Sequence, residues 1–228
     1  MARNLRLKSN CRHGGKMAGW RAAIQRRLVT LPSAQSCYSA GMKRAVPFVL
    51  ALLLAACGRQ PSGVTDIAGA MPDLRFVMVR ANDGAHVDAP SYRGKAVILY
   101  FGYTHCPDEC PATLANFAGV LRRLGPRAND VRVLFVSVDP ARDTLPVLKS
   151  YVNAFAPEID GLRGTPDEIA DFARRYRVLY SVKPVPAGEE VMHSDAVFFF
   201  DTAGRARLVT TQTDDTKAIA EDVLNLVN

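Results

Sequence analysis

Two kinds of apolar pattern divide the chain. One unbroken run, Ala45 to Ala56 (A-V-P-F-V-L-A-L-L-L-A-A), stands behind Lys43-Arg44, whereas from Met71 onward apolar residues come in short periodic blocks between turn residues. In that second region Leu74 to Val79 predicts an opening strand, closed by the turn residues Asn82-Asp83-Gly84. Ala96 to Phe101 (A-V-I-L-Y-F) predicts a strand buried on both faces. Leu114, Phe117, Val120, Leu121 and Leu124 form one apolar face of a helix over 113–124, which Gly125-Pro126 ends.

Further along, Val131 to Val138 predicts a second central strand, and Leu145, Leu148, Val152 and Phe155 one side of a helix over 143–155. Thr165-Pro166-Asp167-Glu168 has the form of a capping box with proline at the first helical position, which predicts a helix to Tyr176. Strands over 195–201 and 205–211 flank the turn Thr202-Ala203-Gly204, and a last helix covers 214–227. The order β, βα, βα, short β, α, ββ, α predicts an α/β fold with a central sheet covered by helices on both faces. No internal repeat interrupts it.

Charge changes the picture at the N-terminal end. The chain of 228 residues carries a net +7, but ten of its 29 basic residues and none of its 22 acids precede Ala45, so the remainder carries −3. A mildly acidic body argues against nucleic acid as a partner. A positive patch before a short apolar run has the form of a signal peptide, and twelve residues fall short of the ~20 that a membrane span needs. Leu54-Ala55-Ala56 before Cys57 resembles the lipobox of bacterial lipoproteins, which implies cleavage there and lipidation of Cys57. An uncleaved anchor is the other reading, and both export everything after residue 57.

Met42 stands where such a signal would begin, so 1–41 reads as a mis-annotated or disordered extension, with Cys11, His13 and Cys37 set aside. The expected divisions are then the extension 1–41, a signal peptide with lipobox over 42–57, a small and polar linker over 58–70, and one folded domain over 71–228.

With Cys11, Cys37 and Cys57 removed, the five cysteines reduce to Cys106 and Cys110, in T-H-C-P-D-E-C-P where a buried strand hands over to a helix. In an oxidising compartment such a pair is a disulfide, a redox dithiol or a metal site. A helix N-terminus favours thiolate, so both cysteines are expected to be reactive. Residues four apart on regular helix hold their Cβ atoms about 5–6 Å apart, wider than the roughly 3.5–4.5 Å of a disulfide, and Pro107 and Pro111 give the segment room to adjust. Two soft sulfurs also suit Cu(I). Zinc fits less well, since a structural site takes four ligands and only His86, His105 and His193 supplement the thiols. Local reasoning leaves His105 and His193 as equal candidates for a third ligand.

F-G-Y-T-H-C-P-D-E-C-P, then S-V-D-P-A-R-D-T over 137–144, then a distant histidine before a hydrophobic strand together resemble the Sco (SenC) family of copper proteins. Gly164-Thr165 and the helix ending A-R-R-Y-R-V-L-Y agree, and the resemblance runs in order from Met71 to Val227. It implies a thioredoxin-like, three-layer fold with a central mixed sheet. It also implies one copper ion, Cu(I) or Cu(II), bound by Cys106, Cys110 and His193, and a role in cytochrome c oxidase assembly. His193 is thereby preferred over His105, which becomes a neighbour of the site or a surface residue. The implied partners are the copper-bearing oxidase subunit or another exported cuproprotein, and a copper donor chaperone. The signal segment and lipobox predict the place: the bacterial cell envelope, with the domain membrane-anchored and facing the periplasm.

One departure concerns the residue before the histidine, where family members commonly carry Asp and this chain has Met192. Asp195, two residues on and therefore on the same strand face as His193, is one substitute; the Met192 thioether is another; simple packing of Met192 is the third reading. Asp139 and Asp143 read as a turn and a helix N-terminus, with a role near the cysteines as the alternative. Arg174, Arg175 and Arg177 read as a solvated helix face. A metallochaperone, which is not an enzyme, is the leading function. A membrane-tethered thiol–disulfide oxidoreductase using Cys106 and Cys110 is the alternative, and a peroxide-reducing thiol enzyme a weaker one.

Overall fold

The computed structural model describes residues 63–185 and 188–227. The extension 1–41, the signal segment 42–57 and the cysteines Cys11, Cys37 and Cys57 lie outside the described residues. No helix among the described residues is long and apolar enough to cross a membrane.

The strands are β1 (Thr65–Asp66), β2 (Val77–Arg80), β3 (His86–Asp88), β4 (Ala96–Gly102), β5 (Val131–Ser137), β6 (Ile159–Arg163), β7 (Tyr180–Val185), β8 (Gly188–His193), β9 (Val197–Phe200) and β10 (Ala206–Thr210). The helices are α1 (Glu109–Leu124), α2 (Leu145–Asn153), α3 (Pro166–Arg175) and α4 (Thr216–Leu226). Eight strands form one mixed sheet in the order β1-β10-β9-β4-β5-β6-β2-β3, parallel only across β4, β5 and β6. β7 and β8 pair with each other in a separate hairpin.

Alternation along the central strands builds two cores. Ile98 and Tyr100 of β4 and Val133 and Phe135 of β5 face Leu114, Phe117 and Leu121 of α1, Leu148 and Val152 of α2 and Ile219 and Val223 of α4. Val97, Leu99 and Phe101, with Leu134 and Val136, face the other way onto Leu74, Phe76 and the Ile169, Phe172 and Tyr176 side of α3. Each fully buried side chain of this size contributes roughly 1.5–3 kcal/mol. Both faces of β4 and β5 are therefore covered, which makes three layers of the kind that apolar strands without alternation require.

Several boundaries differ from the sequence expectation. The helix after the cysteine motif begins at Glu109, not Thr113, because Pro111 sits in its first turn, where a missing N–H breaks no helical bond. Thr165 and Glu168 form the expected capping box on α3. α2 starts at Leu145 behind Thr144, and the preceding stretch is a turn closed by the Asp143 N–H donating to Asp139 O. The first core strand covers 77–80, although Leu74 and Phe76 are buried as expected. The polar stretch expected to be only a linker carries β1, whose Thr65 and Asp66 pair with Val209 and Leu208 at the sheet edge. Backbone pairing at an edge needs no apolar side chain, so composition did not reveal it. The β7–β8 hairpin went unseen for a related reason: Pro184 and Pro186 break the strand signal.

Candidate metal centre

The parallel strands β4 and β5 end together, Gly102 beside Ser137, and the chain leaves that carboxyl edge to form the cysteine loop. Gly102 is required there. A Cβ at this position would lie 2.5 Å from Phe135 Cε2 and 2.8 Å from Cys110 Sγ, so only a bare backbone lets the sulfur settle over the strand.

Cys106 occupies the turn before α1 and is half-buried, its N–H donating to Tyr103 O at 3.3 Å. Cys110 lies in the first turn of α1 and is fully buried; its backbone N–H donates to Cys106 Sγ at 3.4 Å. His193 ends β8, and its Nε2 stands 3.3 Å from Cys110 Sγ. Its Nδ1 is 3.2 Å from Ser194 O. A carbonyl only accepts, so Nδ1 carries the proton and Nε2 presents its lone pair to the sulfur. The edges and faces of Tyr100 and Tyr103 enclose the imidazole at 5.9 Å between centroids.

One donor atom from each of Cys106, Cys110 and His193 falls within a group no wider than 4.8 Å. Metal–sulfur and metal–nitrogen bonds run about 2.0–2.3 Å, so one ion can reach all three. Two thiolates and an imidazole suit a soft ion. The thiol pair is unbridged.

Burial overturns part of the expectation for thiol reactivity. The Cys110 thiol is pushed up to about 12, first by desolvation and then by the neighbouring Cys106 charge. The Tyr103 backbone and the Tyr100 hydroxyl favour its thiolate but do not offset burial. Without a cation beside it, Cys110 stays a thiol.

The cysteine loop rests on a buried carboxylate. Asp143 accepts from Thr104 N–H at 3.0 Å, Thr104 Oγ1 at 2.6 Å and Ser137 Oγ at 2.7 Å. Asp139 pairs with Arg142, whose guanidinium lies 5.9 Å over the Tyr103 ring. His105 is exposed and lies 3.6 Å from Asp143 rather than with the two thiols. His105, Asp139 and Asp143 also converge, but their carboxylates already serve these hydrogen bonds and the Arg142 ion pair. His86 sits on the edge strand β3.

The two substitutes weighed for the missing Asp fare differently from expectation. β8 stops at His193 and β9 starts at Val197, so Asp195 lies in the connection and does not share a strand face with His193. Met192 is 54% exposed, opposite Ser181, and strand alternation turns it away from the His193 face. It is neither packed nor directed at the sulfurs. Asp139 opens the turn expected of it, whereas Asp143, just ahead of the helix, also braces the cysteine loop through Thr104. Tyr100, Tyr103 and Gly102 were missed as parts of the site. The signal available for Tyr100 was a hydroxyl inside a strand expected to be wholly buried, which demands a partner.

A family model described as SCO1/SenC matches residues 71–228. The chain belongs to the SCO1/SenC family. Among its relatives, the mitochondrial SCO2 homolog of Bos taurus is 40% identical over 137 residues, 55% of this chain and 52% of that protein. Protein SenC of Rhodobacter capsulatus is 37% identical over 119 residues, 52% of this chain and 54% of that protein. The chain thus spans about half the length of these two relatives. Bradyrhizobium japonicum ScoI, solved with copper bound, superimposes with a TM-score of 0.62 at 34% identity, covering 68% of this chain and 98% of that one. The mixed sheet and its two helical layers are the thioredoxin-like fold of these SCO1/SenC structures.

Proposed function

We propose that this SCO1/SenC chain is a copper metallochaperone: it takes one copper ion on Cys106, Cys110 and His193 and passes it to the copper centre of cytochrome c oxidase during assembly. The observation that carries the reading is the convergence of two sulfurs and one bare imidazole nitrogen within 4.8 Å. Copper bound to the similar ScoI supports the choice of metal. Half-exposed Cys106 offers an acceptor's thiolates or imidazoles a point of attack, so release proceeds by ligand exchange, with buried Cys110 displaced after it. The copper-bearing oxidase subunit, or another exported cuproprotein, is the acceptor, and a second chaperone the donor. Cys57 anchors the chain by a lipid to a bacterial membrane, with residues 71–228 facing the periplasm.

A second reading has its own support. An accessible Cys106 beside a buried Cys110 is the arrangement of an attacking and a resolving thiol, as a thiol–disulfide oxidoreductase that keeps acceptor cysteines reduced would need. His193→Ala separates the two. The chaperone reading expects this variant to lose tight copper binding and oxidase assembly while dithiol exchange continues. Full oxidase assembly with His193→Ala would overturn it in favour of the redox reading.

A further inference from the structure

β4 is a strand of seven buried residues, A-V-I-L-Y-F-G, whose only polar side-chain atom is the Tyr100 hydroxyl. Alternation directs Ile98, Tyr100 and Gly102 to the α1 side, the side on which Cys110 lies. Tyr100 is fully buried, and its O–H donates to Cys110 Sγ across 3.7 Å. Two residues along, the bare Gly102 leaves the space that this sulfur occupies. The same tyrosine ring meets His193 nearly edge-on, at 74°. One side chain thus touches two of the three donors. Phenylalanine would fill the core equally well, so the hydroxyl has a purpose that packing does not explain.

A hydrogen bond to a metal-bound thiolate withdraws electron density from the sulfur. The loss weakens the bond to Cu(II) more than the bond to Cu(I), because the cupric ion draws more heavily on sulfur. We propose that Tyr100 sets the oxidation-state preference of the site, its hydroxyl donating to the Cys110 thiolate and so favouring the cuprous ion. The inference rests on the copper reading above. Tyr100 is a positioning and tuning residue and does not bind the metal itself.

The test compares the full chain with Tyr100→Phe, each loaded with copper and titrated with a one-electron mediator. Loss of the hydroxyl is expected to lower the ratio of Cu(I) to Cu(II) affinity about tenfold, which is about 59 mV in the one-electron potential. The sulfur-to-Cu(II) charge-transfer band is expected to move to lower energy, a change that altered packing alone does not produce. A Tyr100→3-fluorotyrosine variant keeps the shape and has a more acidic phenol, so it should shift both readouts in the opposite direction, and it carries the test if Tyr100→Phe does not fold. A wild-type chain that binds one copper while the variants match it in potential and band energy overturns this inference alone. A wild-type chain that retains no copper overturns the copper reading first, and this inference with it.

Discussion

The sulfurs reach the site on the central sheet and its longest helix, whereas the imidazole reaches it on a two-stranded ribbon that pairs with no strand of that sheet. On the cysteine side the loop is bound through Thr104 to Asp143 and through Asp143 to Ser137. On the histidine side the ribbon and its approach leave Leu179 79% exposed and Met192 54% exposed. His193 is held by its own Ser194 carbonyl, by Cys110 and by the rings of Tyr100 and Tyr103. The two sulfurs are therefore preorganised by structure that exists for folding, while the nitrogen depends on a lightly covered arm. In the chaperone proposed above, release of copper would be eased by having one ligand on the element that opens most cheaply.

Hydrogen exchange should break or sharpen this contrast most visibly. Amides of β4 and β5 are expected to exchange only by global unfolding, and those of β7 and β8 at least about a thousandfold faster through local opening. Equal protection in the two arms would remove the distinction. Asp143→Ala leaves the Thr104 N–H and the Ser137 hydroxyl without their acceptor and should cost about 3 kcal/mol in a denaturant titration. Gly102→Ala drives a methyl into Phe135 and Cys110 and should cost about 2 kcal/mol in the same assay. Met192→Ala, on the histidine arm, should stay within about 0.5 kcal/mol.

The Cys110 thiol adds a pH dependence. Its folded value of about 12 lies above the ordinary 9.0, so between those values the unfolded chain has lost a proton that the folded chain keeps. Stability of the metal-free protein then falls as pH rises through that window, by up to about 1.4 kcal/mol per unit, and is unaffected by this group below it. Cys110→Ser should remove this group's share of the slope, which alkaline denaturation curves would show most cleanly below the ordinary tyrosine value of 10.0, above which buried Tyr92, Tyr100, Tyr151 and Tyr176 add their own.

What the sequence made legible was local. The Thr165–Glu168 cap, the apolar face of α1, the uninterrupted run of β4 and the largely apolar run of β5 each carry their signal within a few residues, and each appears in the fold. The ribbon did not, since Pro184 and Pro186 hide a strand pair fixed by register between Tyr180 and His193. The sulfurs of the site were equally local, four residues apart on one motif. The histidine lies 83 residues from Cys110 and needed the family pattern to distinguish it from His105. Asp143 acts on Thr104 across 39 residues, which no spacing rule connects. Tyr100 was hidden differently: it reads as one more apolar residue until the destination of its hydroxyl is asked.

X-ray absorption on the copper-loaded full chain tests the central claim most directly, because it counts the ligands from the two arms together. One copper per chain with two sulfur scatterers and one imidazole nitrogen at about 2.0–2.3 Å is the predicted result. A spectrum with sulfur but no imidazole, or one unchanged by His193→Ala, would contradict the convergence of the two arms on a single ion.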